Sequence, residues 1–369
     1  MEAFLSEENY YLAVKNATRH KGGKKRKYAC ARYYRDNAEK LMPKMMDYAN
    51  EFYNMPHRPK TIYDGIRRKK RTIIVPAMKE QIVHHMVVNI LKPIFMKGMY
   101  EHSYGSIPDR GGHKAKKRIE SWIARGDKNM KYCLKMDIKK YFDSIPHDIL
   151  KQMFADLIHD REFLAVIYEI IDVVPGGKGI PLGFYTSQWI ANWYLEGLDH
   201  YIKEDLNVHY YVRYMDDMVI FGPNKRELHR VCTAVQKYLE TRLGLTLKEN
   251  WQVFQFSFVN KSGKHVGRDL DFMGFRFFRN RTVLRKTLMM KACRKAARIR
   301  KKVLRTVYDC RQMLSYLGWI DCTATYGMYK KYIKPNVNIR SMKRRVGHYQ
   351  TLMNRGFKLC GTEPRTATA

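Results

Sequence analysis

Short runs of β-branched and aromatic residues, alternating with stretches of helical period, predict an α+β chain built around an antiparallel sheet. Three observations carry that prediction. Strand-like apolar runs occur at Arg71 to Val75, Tyr132 to Asp137, His209 to Met215, Met218 to Phe221 and Phe272 to Phe277. Two of these runs meet at the acidic pair Asp216 and Asp217, which places both carboxylates in a tight hairpin. Another ends on Asp137, where a charge is costly to bury without a cation.

Taken in order, apolar residues at three- and four-residue spacing predict helices at Ala38 to Tyr53, Lys79 to Met96, Gly112 to Arg125, Pro146 to Ile158 and Glu162 to Val173. The second of these sets Ile82, His85, Met86 and Asn89 on one face. Helix returns at Tyr185 to Lys203, Lys225 to Leu243, Lys286 to Arg305 and Asp309 to Leu317, and the last ninety residues read as purely helical and basic. A polar tail, Gly361 to Ala369, is expected to be mobile.

Composition narrows the function. Of 369 residues, 70 are Lys or Arg and 35 are Asp or Glu, a net charge of +35, while 45% are hydrophobic and 13% aromatic. A chain with that much core material and that much positive charge points to a polyanion, in practice nucleic acid. Basic clusters at His20 to Lys27, Arg67 to Arg71, His113 to Arg118, Arg285 to Lys302 and Lys343 to Arg345 are spread as a long phosphate-tracking groove requires. The seven cysteines are scattered and never form a CxxC pair, so they read as reduced structural thiols. The N-terminus lacks the pattern of a secretory signal, and the most apolar stretch, Met86 to Phe95, is broken by Asn89, Lys92 and Pro93. A cytoplasmic protein without a membrane partner is expected.

The chemistry is read from the carboxylates. If the strand ending at Asp137 pairs with the Asp216–Asp217 hairpin, three like charges converge and need a counter-ion. Two Mg²⁺ ions, with Mn²⁺ as a substitute, answer that need and stabilise the attacking and leaving oxygens of a phosphoryl displacement. Nucleotidyl transfer is the expected reaction.

YMDD at Tyr214 to Asp217, Asp137 at a strand end, IPLGFYTSQ at Ile180 to Gln188, RTIIVPAMKEQIVHH at Arg71 to His85, SYGSIPDRGGHKA at Ser103 to Ala115 and FMGFRF at Phe272 to Phe277 together resemble the reverse transcriptases. The resemblance implies a right-hand polymerase with fingers, an antiparallel palm and a helical thumb. It divides the chain into a basic helical extension (1–60), fingers (61–131), a first palm part (132–145), connecting helices (146–178), palm (179–282), thumb (283–350) and tail (351–369). By the same resemblance Asp137 and Asp216 are the principal metal ligands, assisted by the Ile138 carbonyl and Asp217. Arg71 then grips a triphosphate, and Phe142 lies beneath the sugar, where a ring excludes a 2′-hydroxyl.

Leu182 stands where most of the family has Gln, and Gln188 where most has Pro; in this the segment looks most like the reverse transcriptases of diversity-generating retroelements, phage members included. The resemblance therefore implies cDNA synthesis that is error-prone at template adenines, with a basic accessory protein as a further partner. The alternative within the family is an antiphage-defence or retron-like enzyme copying a dedicated noncoding RNA. Leu182, Gly183, Gln188 and Lys248 complete the expected nucleotide site, Lys248 as a proton donor to pyrophosphate. Lys69, Lys70, Arg110, Arg276, Arg294, Arg298 and Lys301 are the expected contacts to template RNA and nascent cDNA.

Overall fold

The computed structural model describes residues 1–19, 21, 28–64, 69–126, 128–260 and 262–354. Most of the basic cluster His20 to Lys27, part of Arg67 to Arg71, the side chain of Lys69 and the tail Gly361 to Ala369 lie outside the described set. The chain divides into two compact units, Met1–Trp122 with Gly126–Gln255, and a second that takes Ile123–Arg125 and continues from Phe256.

The first unit opens with helices α1 (Glu7–Thr18), α2 (Ala29–Asp36) and α3 (Ala38–Asn50), followed by the hairpin β1 (Lys60–Asp64) and β2 (Lys69–Ile73). Helix α4 (Met78–Gly98) is buried nearly all round, with Ile82, Met86, Val87, Leu91 and Phe95 each at most 1% exposed, so it forms the central pillar rather than a surface helix with one wet face. After α5 (Gly112–Ala124) come β3 (Tyr132–Asp137), the short α6 (Tyr141–Ser144), α7 (His147–Leu157) and α8 (Arg161–Asp172). Helix α8 shows how the sequence encodes such an element. Asp160 caps it by accepting from the Phe163 amide at 3.0 Å, and Phe163, Val166, Ile167, Ile170 and Ile171 form one buried stripe. Each of those side chains contributes about 1.5–3 kcal/mol on leaving water.

Next come α9 (Tyr185–Tyr194), α10 (Glu196–His200), β4 (Tyr210–Tyr214), β5 (Asp217–Gly222), α11 (Lys225–Leu243) and β6 (Gln252–Gln255). The predicted single helix Tyr185 to Lys203 is interrupted after Tyr194 and finishes in a π-helical turn, Tyr201–Asp205. The four strands form one antiparallel sheet in the order β4-β5-β3-β6. Strand β4 is not a bare edge: Ser103 bridges to Arg213, and the Tyr104 amide donates to the Arg213 carbonyl at 2.9 Å. Phe95 of α4 stacks on Trp193 of α9 at 4.8 Å, joining the pillar to the layer on which the sheet rests.

In the second unit β7 (Phe258–Val259) pairs with β8 (His265–Val266), and β9 (Leu270–Phe272), β10 (Phe275–Phe277) and β11 (Thr282–Leu284) form a three-stranded sheet. Two expectations change here. Phe272 to Phe277 is not one strand, because Met273 (φ 51°) and Gly274 (φ 87°) both adopt left-handed dihedrals and reverse the chain in a two-residue turn. The C-terminal region is not purely helical either, since β11 pairs with β10 before the helices begin. Helices α12 (Lys286–Arg300), α13 (Val307–Ile320), α14 (Tyr326–Tyr332) and α15 (Ile339–Asn354) then pack around Met289, Ala296, Ile299, Met313 and Leu317. The predicted helix Lys286 to Arg305 stops at Arg300; Lys295 and Lys302 converge on Asp309, which together with Thr306 caps the start of α13.

Candidate active site

The register of the central sheet decides the geometry. Asp137, the last residue of β3, is the direct cross-strand partner of Asp217, the first residue of β5, so their side chains share one face. Asp216 sits in the two-residue turn between β4 and β5, beside Met215, whose φ of 55° is left-handed. Burial, and then the facing Asp137 and Asp217 carboxylates, push the Asp216 carboxyl up to about 7. Three carboxylates thus meet at one end of the sheet, as the spacing predicted.

A cation is already present among them. The Lys248 ammonium contacts Oδ2 of Asp137, and the Lys248 amide donates to the Asp137 carbonyl at 2.8 Å. The chain beyond β3 continues this pairing, with Ile138 bridged to Leu247 and the Lys139 amide donating to Thr246 at 2.8 Å. Lys248 therefore comes to the acidic cluster through its backbone as well as its side chain. Among the described residues, Oδ1 of Asp137 is buried with no hydrogen-bond partner. Among the described residues no three His, Cys, Asp or Glu side chains converge tightly enough to cage a metal by themselves. What the sheet end offers to a divalent ion is a set of hard oxygen donors that a substrate phosphate would complete.

The residues expected at the nucleotide site are held as follows. Lys140 (φ 45°) turns the chain after β3 and delivers Phe142, half-buried, whose carbonyl accepts from the Ile180 amide at 2.8 Å. The Ile74 amide donates to the Leu182 carbonyl at 2.8 Å, tying the segment after β2 to the loop before α9. Gly183 makes that approach possible: its φ is 116°, and a Cβ there would stand 2.1 Å from the Ile74 oxygen. Arg71 lies half-buried on β2, three residues before this junction. Gly183 and Gln188 line a cavity of about 210 Å³ with Val75, Gln81, His84 and Tyr185. Burial holds His84 down to about 3, so its imidazole is neutral and accepts or donates through a hydrogen bond with Thr186 Oγ1 at 3.0 Å.

The expected nucleic-acid contacts divide differently. Lys70 is exposed on β2, and Arg294, Arg298 and Lys301 are exposed along and just beyond α12. Arg110 and Arg276 are engaged within the protein. Arg110 donates to the carbonyls of Tyr100 (2.6 Å) and Ser103 (3.3 Å), and Arg276 holds Asp269 through two bonds of 2.6 and 2.7 Å.

One group was not anticipated from the sequence. Arg213 on β4 is fully buried and gripped by Asp199, with Asn192 alongside. Its signal was a charge in the middle of the apolar run YYVRY, which demands a buried partner.

Residues 57–277 match the family described as reverse transcriptase (RNA-dependent DNA polymerase). The chain is 26% identical over 247 residues to the retron Ec73 reverse transcriptase of Escherichia coli, covering 62% of this chain and 72% of that one. It is 24% identical over 193 residues to protein YkfC of Escherichia coli, covering 50% of this chain and 46% of YkfC. With the group II intron-encoded protein LtrA of Lactococcus lactis it shares 24% identity over 211 residues, covering 54% of this chain and 34% of LtrA. The chain thus spans less than half the length of two of these relatives. Because the family match takes in more than half of the chain, including Asp137, Gly183 and the Asp216–Asp217 turn, this protein belongs to the reverse transcriptase family.

Proposed function

We propose that the protein is an RNA-directed DNA polymerase that makes cDNA from an RNA template and deoxynucleoside triphosphates by nucleotidyl transfer. The observation that carries this reading is the cross-strand pairing of Asp137 with Asp217 beside Asp216. Asp137, Asp216 and Asp217, with the Ile138 carbonyl, would hold divalent ions, Mg²⁺ or Mn²⁺ in its place. Bound there, the ions supply charge neutralisation for a phosphoryl displacement.

The chain's own residues do the rest. Arg71 supplies a cation for the triphosphate, Phe142 crowds the sugar edge, and Leu182 and Gly183 present backbone to the nucleotide. Lys248, held against Asp137, is placed to accompany negative charge as pyrophosphate leaves. Lys69, Lys70, Arg294, Arg298 and Lys301 are assigned to the phosphate backbone of template and primer.

Within this activity we favour a diversity-generating enzyme, error-prone at template adenines and assisted by a basic accessory protein. Leu182 supports it, because an aliphatic side chain removes a hydrogen bond worth about 1 kcal/mol from the check on base-pair geometry. The competing reading is a defence or retron-like enzyme, which the likeness to the retron Ec73 enzyme supports. Sequencing cDNA made on a defined RNA template separates them. Errors piled up opposite adenines support diversification; accurate copies of one structured RNA support the alternative.

A further inference from the structure

The turn that carries Asp216 is strained, and the residues that hold it are not those that perform the chemistry. Met215 is a non-glycine residue at φ 55°, a conformation that persists only where its surroundings over-determine it. Three contacts do so. Arg213 Nη1 donates to the Met215 carbonyl at 3.1 Å, the acceptor in the peptide that joins Met215 to Asp216. Asn192 Nδ2 lies 3.3 Å from the Met215 sulfur and donates to the Gly105 carbonyl at 2.7 Å. From the other side Gly105 packs so tightly that a Cβ there would stand 2.6 Å from the Met215 nitrogen.

Arg213 is itself fixed. Its Nε reaches both Asp199 oxygens at 2.8 and 3.0 Å, and its Nη2 donates to Asp199 Oδ2 at 2.5 Å and to the Asn192 carbonyl at 3.2 Å. Tyr211 donates its hydroxyl to Asp199 Oδ1 at 2.6 Å, and both members of the ion pair are fully buried. A fully buried pair is weak evidence for stability, since apolar residues of similar volume often serve as well. What an apolar replacement would not supply is a donor aimed at the Met215 carbonyl.

We infer that Arg213, anchored by Asp199 and Asn192, is a positioning residue that sets the Met215–Asp216 peptide and so aims the Asp216 carboxylate at Asp137. This inference rests on the proposed polymerase activity for its kinetic readout, and on metal binding for an independent one. The decisive variant is Arg213→Met/Asp199→Asn, which removes both charges together, leaves no lone buried ion and keeps an acceptor for Tyr211. The protein should melt cooperatively yet bind Mn²⁺, followed by electron paramagnetic resonance without nucleotide, about tenfold more weakly. In RNA-templated extension kcat should fall about a hundredfold, as misplacement of a reacting group by about 1 Å does, with the deoxynucleotide KM moving less than threefold.

Two further variants keep the test open if the double variant does not fold. Arg213→Lys retains a cation facing Asp199 but lacks the second nitrogen for Met215, and should still melt cooperatively, below the wild type, while losing Mn²⁺ affinity. Gly105→Ala displaces the turn from the opposite side with every charge in place, and should act in the same direction. Folded variants with wild-type Mn²⁺ affinity and kcat overturn the inference. A wild-type protein that makes no cDNA overturns the proposed activity, and Mn²⁺ binding alone then decides the role of Arg213.

Discussion

Gly183 and Leu182 mark the point where the peptide of one segment is read by the backbone of another. The Ile74 amide finds the Leu182 carbonyl only because Gly183, at φ 116°, lets the two strands of chain approach. Gly183→Ala would set a methyl 2.1 Å from the Ile74 oxygen and force an L side chain into the wrong half of dihedral space, so it should cost more than about 1 kcal/mol. The expected outcome is a lower melting temperature together with a raised deoxynucleotide KM; unchanged values of both would remove this junction from the nucleotide site. Phe142 makes a second prediction at this scale. Its half-buried ring lies just beyond the turn after Asp137, and Phe142→Ala should let ribonucleotides into the product, measured by alkaline cleavage of the extended strand. Leu182→Gln makes a third: restoring the amide should flatten the error spectrum at template adenines, and an unchanged spectrum would detach fidelity from this residue.

Among the elements, the junction between α12 and α13 rests on one carboxylate. Asp309 is 1% exposed and collects Lys295 at 2.8 Å, Lys302 at 2.8 Å and Thr306 Oγ1 at 2.9 Å. Burial by itself would raise this carboxyl, but the bonds from Lys295, Lys302 and Thr306 outweigh it and hold the group well below the usual carboxylate range. A folded-state value below the unfolded one stabilises the fold above about pH 4, the unfolded value. That contribution is lost as the pH falls from there toward the lower folded-state value, so stability should decline over that acid range. Asp309→Ala should remove on the order of 2 kcal/mol and flatten that acid dependence, checked by circular dichroism across pH.

The same scale shows what the sequence displayed and what it hid. The strands at Asp137 and at the YMDD turn were legible because carboxylates stand out in apolar runs, and α8 and α11 because their stripes are long. Helices α1 and α2 were expected only as part of a helical extension over 1–60, without bounds of their own, because they bury the small residues Ala13, Ala17 and Ala31 beside polar neighbours. The residues of FMGFRF read as one strand, although the segment resembles a primer-grip hairpin, because its turn depends on Met273 accepting a left-handed dihedral, which Met rarely does. Arg213 was visible as a charge in a strand, but its partners Asp199 and Asn192 become neighbours only through the packing of α9 and α10 under the sheet.

At the scale of the whole molecule, the +35 charge predicts affinity for any nucleic acid, so binding by itself does not diagnose function. Single-stranded RNA should be released with a slope of about −0.7 in log affinity against log salt for each phosphate neutralised. A near-zero slope would mean that the basic face does not track phosphates. No helix among the described residues is long and apolar enough to cross a membrane. The central claim, that Asp137, Asp216 and Asp217 form the catalytic end of a DNA-synthesising sheet, is tested most directly by one comparison. Extension of a primer on a defined RNA template, with Mg²⁺ and deoxynucleotides, should proceed with the wild-type protein and be abolished in Asp216→Asn at equal RNA binding. Equal synthesis by both proteins, or none by either on any template, would contradict it.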